Sequence, residues 1–537
     1  MTESNETGTS RLRKLLSYVT IEPVIIFFIF GVVTSTGLRI FELEKACVTK
    51  LHVDLKVCEF FAQLEDNNVC ESLPSGETLN RSAETNPGID YDVQNDTGQM
   101  EFNRLVCTAR EKSINEVTFL NSYRSIITGL VQTVVLLFAG SWSDRVGLRK
   151  PCILIPIAAD IISTCVLVTS AIFMQEISLE VTGILPNLIN SISGGTPLVV
   201  TGIYSYLTVC STEEDRTFRF ACAAVVIATI PILASFFSGY LFKALGFINL
   251  CLLCIVTDSI GLLYGLFVLK EPSNEEDFTE KDGHSKDHGD VPDDTSHCTS
   301  FRKLFDVTLV IDCIKVVTRK RNFNVRAILL LTLLVFFINF GAAGDVESAL
   351  NIAIYKFSWI SNLGTWVSYD YMTTLLGTLL AMGVLSKRFG VSDFLICVFS
   401  VCFTLVAKPI MAYAASAVKP YLYYVATSID VFEGSKFVAI RSIVSKLVDQ
   451  DEIGKILAIL GIVDSTQAVI FPTLYSAVYL KSQEVFIGSV FLLSEAFLLV
   501  SVGLYISLYF MSRKLTKKKN THQREGVDNA AMEVTSM

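Results

Sequence analysis

The residues best suited to chemistry lie in one apolar segment, residues 420–447. It carries Asp430, Glu433 and Lys436 at a spacing of three, followed by Arg441. At about 100° per residue the first three form a connected stripe on a helix, with Arg441 near the azimuth of Asp430. A carboxylate beside a movable cation can be neutral in one conformation and charged in another. The pattern predicts a proton-coupling pair, Glu433 and Lys436, with Arg441 available for an anion; a static ion-pair ladder is the alternative.

Further polar residues interrupt other apolar segments. Asp370 and Asp464 are secondary candidates for the same path, because an ionisable side chain in hydrocarbon costs at least about 2.5 kcal/mol and invites a functional explanation. Asn187 and Asn190 share a helix face just before a Gly-Gly-Thr-Pro interruption, which either frees backbone groups toward a cavity or only eases packing. Packing or snorkelling is the expectation for the other charges in apolar segments, which are Asp160, Asp258, Lys408 and Glu495.

The elements that must position these residues are long apolar segments. Hydrophobic residues make up 51% of the 537-residue chain and charged residues only 18%, which is too apolar for one soluble core of this size. The apolar residues come in blocks of roughly twenty, enough for a helix to cross about 30 Å of hydrocarbon. Twelve such blocks predict an all-α membrane protein, with twelve transmembrane helices in two six-helix halves.

The order of these blocks predicts the domain organisation. We expect a cytoplasmic tail over residues 1–19, a first half over 20–270 that includes an extracellular loop over 39–121, a cytoplasmic linker over 271–325, a second half over 326–511, and a cytoplasmic tail over 512–537. Basic residues in the turns fall on one side, which places both termini in the cytoplasm. The first apolar block is too long for a signal peptide and has no cleavage site after it.

The predicted extracellular loop contains cysteines and glycosylation sequons, which are typical of an oxidising compartment. It contains Cys47, Cys58, Cys70 and Cys107, which suggest two disulfides with three possible connectivities. Two glycosylation sequons begin at Asn80 and Asn95, and they agree with this placement.

A short motif follows the second helix of each predicted half. The first copy contains Gly140, Asp144, Arg145, Gly147 and Arg149; the second contains Gly383, Arg388 and Gly390, and the two align without gaps. An internal parallel repeat is typical of transporters whose halves rock around a midplane site. Its glycines permit a tight turn, and its charges can hold partners across the cytoplasmic gap. The motif resembles the cytoplasmic signature of the major facilitator superfamily, which implies a conformational gate at these residues.

Three further segments, residues 20–24, 215–219 and 441–455, resemble the proton-coupled folate transporter and its relatives, solute carrier family 46. The long first loop with its cysteines and sequons is similar too. The resemblance implies symport of protons with folates, peptidoglycan fragments or related organic anions, at the plasma membrane or the lysosome. It also implies that Asp144 and Arg149 act in conformational switching and that Arg441 lies near the path of substrate and proton.

Together these features predict a secondary active transporter, with a facilitative carrier or a non-transporting receptor or scaffold as alternatives. The expected partners are a small-molecule solute, protons and the lipid bilayer. We expect no enzyme activity, cofactor, metal site or nucleic-acid binding, because the sequence has no nucleophile-base arrangement, no metal-ligand spacing and no P-loop. Without a trusted sorting signal in either tail, the plasma membrane is favoured over the lysosome. The sequence identifies neither the solute nor the oligomeric state.

Overall fold

The structure is a computed structural model that describes residues 21–62, 96–146, 148–210, 213–269, 315–319, 321, 325–448 and 452–535. All regular structure within these ranges is helical, as predicted. Seven described helices are long and apolar enough to cross a membrane, and one of them, Cys222–Phe267, has 46 residues. Gly246, with a φ of 75°, interrupts this segment. Its 46 residues are enough for two membrane spans, one on each side of Gly246. The helix order therefore fits twelve spans.

Contacts within the chain divide it into two compact units: Met1–Asp306 with Ala353–Tyr369, and Val307–Ile352 with Asp370–Met537. Within Met1–Asp306 the helices are α1 Glu22–Phe30, α2 Ser35–Thr49, α3 Leu55–Glu59, α4 Asp96–Val146, α5 Lys150–Ile172, α6 Leu179–Ile192, α7 Gly195–Val209 and α8 Glu213–Phe267. A 3-10 turn, Gly31–Thr34, connects α1 to α2.

The remaining helices are α9 Val325–Ala342, α10 Val346–Phe357, α11 Ser361–Leu380, α12 Asp393–Ala417, α13 Tyr421–Ile429, α14 Glu433–Leu447, α15 Ile453–Ser482 and α16 Ser489–Thr535. A 3-10 turn, Ala343–Asp345, joins α9 to α10, and a π-helical turn, Ala381–Ser386, ends α11. The core of the second unit is a continuous apolar cluster that includes Phe336, Val401, Ile440 and Tyr505.

Both ends of the predicted extracellular loop, residues 39–121, contain helix. Helix α2 runs to Thr49 and α4 begins at Asp96. The sequence pattern ends the first span where charges begin, but these charges have partners in neighbouring helices. Arg124 donates to Glu42 over 2.5 Å, and the Nζ of Lys45 donates to the carbonyl of Ser170 over 3.0 Å. Paired charges can stay buried, so the helix continues past them.

The segment Ala353–Tyr369 belongs to the first unit through its contacts. The Nη2 of Arg110 donates to the carbonyl of Tyr355 and to the Oγ of Ser358, over 3.2 and 3.1 Å. Gly364 packs so closely on α8 that a Cβ there would lie 2.3 Å from the carbonyl oxygen of Ser235. The chain thus crosses between the units within α10 and again within α11.

Of the four predicted loop cysteines, Cys47 and Cys58 form a disulfide. Cys107 is disulfide-bonded as well, while Cys70 and the sequon residues Asn80 and Asn95 lie outside the described residues.

Candidate functional site

The predicted tenth span is broken in the middle. Helix α13 ends at Ile429, α14 begins at Glu433, and Asp430–Phe432 form a turn between them. The prediction of one continuous charged stripe is therefore wrong. The turn packs against α11, where a Cβ on Gly377 would lie 1.8 Å from the carbonyl oxygen of Val431. A glycine at this point lets the two backbones touch, which a larger residue would prevent.

The broken turn has its own polar support. The Oγ1 of Thr404 donates to the Oδ1 of Asp430 over 2.6 Å, and the Asp430 side chain is buried. The Oγ of Ser400 donates over 2.8 Å to the carbonyl of Phe432, which also accepts from the N–H and the Oγ of Ser435. Thr404 and Ser400 both lie on α12. Buried backbone groups left by a helix break require such partners, and here the neighbouring helix supplies one.

Lys436 is the least satisfied charge among the described residues of this region. Its side chain is buried, and its Nζ has no hydrogen-bond partner in the described part of the chain. The Oε1 of Glu433 lies 3.6 Å from it, beyond normal hydrogen-bond length, and the ring of Phe437 lies 5.3 Å away. Glu433 is part-exposed and sits in the first turn of α14, where the helix dipole favours negative charge. This pair, predicted from spacing alone, is adjacent in the structure.

Arg441 lies on α14, which is separated from Asp430 by the turn between the two helices. Its side chain is exposed, and the guanidinium lies 5.9 Å from the centre of the Phe336 ring. The nearby charge is Asp464 of α15, whose carboxylate attracts it electrostatically. Two candidates from different segments are therefore neighbours.

Asp370 is also close to this region. It lies on α11 in the second unit, and its carboxylate interacts electrostatically with Glu433, Lys408 and Asp345. Four acidic and two basic side chains of one unit thus belong to a single charge network: Asp345, Asp370, Asp430, Glu433, Lys408 and Lys436.

Two members of this network were not among the predicted site residues. The Nζ of Lys408 lies 2.8 Å from the Oδ2 of Asp345, and both side chains are buried. The Oγ of Ser494 donates to the same Oδ2 over 2.9 Å. Of the two roles expected for Lys408, packing and snorkelling, its burial excludes snorkelling. Asp345 was overlooked. It could have been found from the sequence, because it is a carboxylate inside the predicted seventh span.

The first unit has a matching break in its predicted fourth span. Helix α6 ends at Ile192 and α7 begins at Gly195, with Gly194 at a φ of 88° between them. The Nε2 of Gln132 donates to the carbonyl of Gly194 over 3.3 Å. The sequence signals this break by its glycines and Pro197. In contrast, no proline marks the break at Asp430–Phe432.

A polar cavity of about 220 Å³ adjoins this break. Its polar lining residues are Thr128, Gln132, Asp160, Asn187, Asn190, Ser191 and Thr196. The Nδ2 of Asn190 donates to the Oδ1 of Asp160 over 2.9 Å, whereas the Nδ2 of Asn187 donates to the carbonyl of Gly183 in its own helix over 2.8 Å. The two predicted asparagines therefore line one cavity. Asp160, expected to serve packing, lines it too.

The predicted gate residues lie at the ends of helices. Gly140, Asp144 and Arg145 are in the last turns of α4, Gly147 lies outside the described residues, and Arg149 is the N-cap of α5. In the second copy Gly383 is in the π-helical turn, Arg388 follows it, and Gly390 has a φ of 64°. Such a φ favours glycine, in keeping with a tight turn. Next to the first copy, the Nζ of Lys150 donates to the carbonyls of Leu266 and Leu269 near the end of α8.

Comparison with known proteins decides the family. The model of the family described as Major Facilitator Superfamily matches residues 113–472. The chain belongs to the major facilitator superfamily. Membership of this superfamily points to a membrane transporter rather than an enzyme. A solved peptide transporter, POT in complex with alafosfalin, is similar in fold, with a TM-score of 0.53 and 10% identity over 93% of this chain and 99% of that one.

Two curated relatives confirm the resemblance to solute carrier family 46. The lysosomal proton-coupled steroid conjugate and bile acid symporter SLC46A3 of Homo sapiens is 24% identical over 73% of this chain and 79% of its own length. The proton-coupled folate transporter of Rattus norvegicus is 22% identical over 72% of this chain and 79% of its own. Within the superfamily, the chain is therefore a multi-pass membrane protein similar to secondary active transporters.

Proposed function

We propose that this major facilitator is a proton-coupled symporter of a small organic anion that works by alternating access. One observation carries the proposal. The buried Lys436 ammonium has no hydrogen-bond partner in the described part of the chain and only a 3.6 Å contact with Glu433, at the start of a broken helix. A buried cation that is incompletely paired is costly unless an anion binds it.

The geometry supports a coupling mechanism in which the protonation of Glu433 controls the binding of the anion. When Glu433 is ionised it pairs with Lys436, and little positive charge is left for a solute. When Glu433 takes a proton the pair is dissolved, and Lys436 with the positive N-terminal end of α14 can bind an anionic group. Proton and anion then bind together. On a less acidic side Glu433 loses its proton, pairs again with Lys436 and displaces the anion.

The breaks in the two fourth helices support the proposal. Discontinuous helices at corresponding positions of the two halves are the best sequence-level indicator of a transport site in repeat-built carriers. Here the break at Gly194 borders Asn187 and Asn190, and the break at Asp430–Phe432 borders Glu433. The relatives that are named for steroid conjugates, bile acids and folate suggest the solute class, because all of these are organic anions.

For localisation we propose the plasma membrane, because neither tail carries a clear sorting signal, although one relative is named as lysosomal. We propose that the motif at Asp144 and Arg149, with its second copy at Arg388, acts as the conformational gate.

The deciding experiment is uptake of labelled steroid sulfate, folate and muropeptide into cells at neutral and acidic outside pH, with and without a protonophore. Wild type is compared with Glu433→Gln, Lys436→Met and the control Glu484→Gln, which changes an exposed carboxylate between α15 and α16. Surface biotinylation verifies expression and tests the localisation.

We expect acid-stimulated uptake that the protonophore collapses. Glu433→Gln should still bind solute but lose acid stimulation, because its amide mimics the protonated carboxyl. Lys436→Met should lose binding, and Glu484→Gln should resemble wild type. Uptake that ignores pH would favour a facilitative carrier instead. Binding without uptake in surface-expressed wild type would favour a receptor or scaffold.

A further inference from the structure

A pair of carboxyl groups lies within the membrane helices of the first unit, away from the charge network described above. Asp160 is on α5 and Asp258 is on α8, and their two carboxyl groups are close enough to interact with each other. Asp258 is fully buried, and neither of its oxygens receives a hydrogen bond from an N–H or O–H donor of the described residues. The group that it interacts with is therefore another carboxyl group.

Two ionised carboxylates cannot hydrogen-bond, because neither has a hydrogen to donate. In a dry environment, two negative charges in contact would also be strongly unfavourable, so one proton is retained between them. The surroundings indicate which group holds it. Asp160 accepts a hydrogen bond from the Nδ2 of Asn190 over 2.9 Å, which stabilises its negative charge. Asp258 has no such donor and is the protonated acid that donates to Asp160.

The charged groups on neighbouring helices do not neutralise the pair. The polar groups that act on it are Asn190 and the thiol of Cys254. Charged residues of the elements packed on α5 and α8 make contacts elsewhere: Glu22 with the Ile21 amide, Glu42 with Arg124, Lys45 with the Ser170 carbonyl, Lys150 with the Leu266 carbonyl, Glu180 with Lys50, and Arg219 with the Cys210 carbonyl. Glu44 is repelled electrostatically by Glu59. Arg39 and Lys243, on the same elements, have contacts as well.

The pair is connected to a polar cavity. Asp160 lines the cavity of about 220 Å³ beside the break between α6 and α7, together with Asn187, Asn190 and Gln132. This volume is below the roughly 300–1,000 Å³ of sites for drug-sized ligands, but it is large enough for several water molecules at about 30 Å³ each. A water-filled cavity of this kind can deliver protons to Asp160. Asp258, which lies behind Asp160, is reached through it.

We infer that Asp160 and Asp258 form a proton-binding site in the first unit, which holds one proton at rest and takes a second from the cavity through Asp160. The first proton stays between the two carboxyls. The second neutralises Asp160, weakens its bond from Asn190 and removes the one negative charge that faces the cavity. This site is separate from Glu433 and Lys436. Evidence against it therefore does not bear on the coupling proposed for Glu433 and Lys436.

The test is infrared spectroscopy of the purified full-length protein in lipid vesicles, following the C=O band of protonated carboxyl groups during an acid titration. Asp258→Asn replaces the acid by a neutral amide of the same shape, and Asp258→Ser removes the carboxyl group altogether. Glu495→Gln is the control, because it removes a membrane carboxyl away from the pair. Size-exclusion profiles verify that each variant is folded.

We expect wild type to show, at neutral pH, a carboxyl band that both Asp258 variants lack and that Glu495→Gln retains. On acidification the band of wild type should grow at a lower pH than that of Asp258→Asn, because a proton shared between two carboxyl groups stabilises the Asp160 anion more strongly than an amide donor does. An unchanged neutral band in both Asp258 variants would overturn the inference. If the band were unchanged and Glu433→Gln still lost acid-stimulated uptake, only the Asp160–Asp258 site would be rejected. The proposed function would remain supported.

Discussion

Asp345 and Lys408 form a buried ion pair, in which the Oδ2 and Nζ atoms lie 2.8 Å apart. The carboxylate also accepts from Ser494, whose Oγ contacts the hydroxyl of Tyr475 over 2.8 Å. The pair therefore joins the turn after α9 to α12, α15 and α16. Each charge is held at low cost only while the other is present, because an unpaired charge in a dry interior keeps its full desolvation penalty.

Removal of one partner should therefore destabilise the protein more than removal of both. We expect Asp345→Asn or Lys408→Met to cost about 3–5 kcal/mol, and the double variant to recover most of that loss. The measurement is thermal unfolding in detergent, with Lys419→Met, an exposed lysine near Tyr413, as the control. Equal losses in the single and double variants would mean that the two charges do not compensate each other.

The close contact at Gly377 predicts a steric effect. A Cβ at this position would lie 1.8 Å from the carbonyl oxygen of Val431, so Gly377→Ala must displace the turn at Asp430–Phe432. We expect lower thermal stability and at least tenfold lower uptake. The matched control is Gly503→Ala, where no atom lies within 4 Å of the new Cβ. There, alanine should be neutral or stabilise the helix by up to about 1 kcal/mol. Wild-type uptake by Gly377→Ala would show that the turn yields freely.

Glu452 predicts a dependence of stability on pH. Burial favours its neutral form, but hydrogen bonds from Arg321 and Arg319 outweigh this and hold the pKa of the carboxyl below its ordinary value of 4.5. A depressed pKa in the folded state stabilises the protein above the unfolded value, and this stability is lost as the pH falls below 4.5 toward the folded-state pKa.

We therefore expect the melting temperature of Glu452→Gln to lie below that of wild type at neutral pH, and the difference to shrink at acidic pH. The exposed Glu484→Gln should follow wild type at every pH. A difference that stays constant over the titration would mean that the two arginines do not act through the charge of Glu452.

The disulfide between Cys47 and Cys58 closes a short loop, with a sequence separation of 11 residues. Loop-closure entropy for that length corresponds to roughly 3 kcal/mol. We expect Cys47→Ser with Cys58→Ser to lower thermal stability by about that amount, and wild type to resist alkylation at both positions until it is reduced. Mass spectrometry of alkylated peptides measures this. Labelling of Cys47 without reductant would contradict the pairing.

The amino-acid sequence by itself determined the class of this protein. Twelve apolar blocks, the repeat at Gly140 and Gly383, and the break signalled by Gly194 follow from local composition, which governs membrane insertion and helix continuity. Likewise, the adjacency of Glu433 and Lys436 required only their spacing within one segment.

Only the tertiary structure decided which distant charges meet. Lys408 pairs with Asp345, which is 63 residues away in the chain, and Asp160 interacts with Asp258 of a different helix. A sequence pattern reports the face of one helix, not the helix packed against it, so both pairs were expected to serve packing or were overlooked. The break at Asp430–Phe432 was hidden for the same reason: no proline marks it, and it is held by Ser400 of α12 and by the close approach of Gly377 from α11.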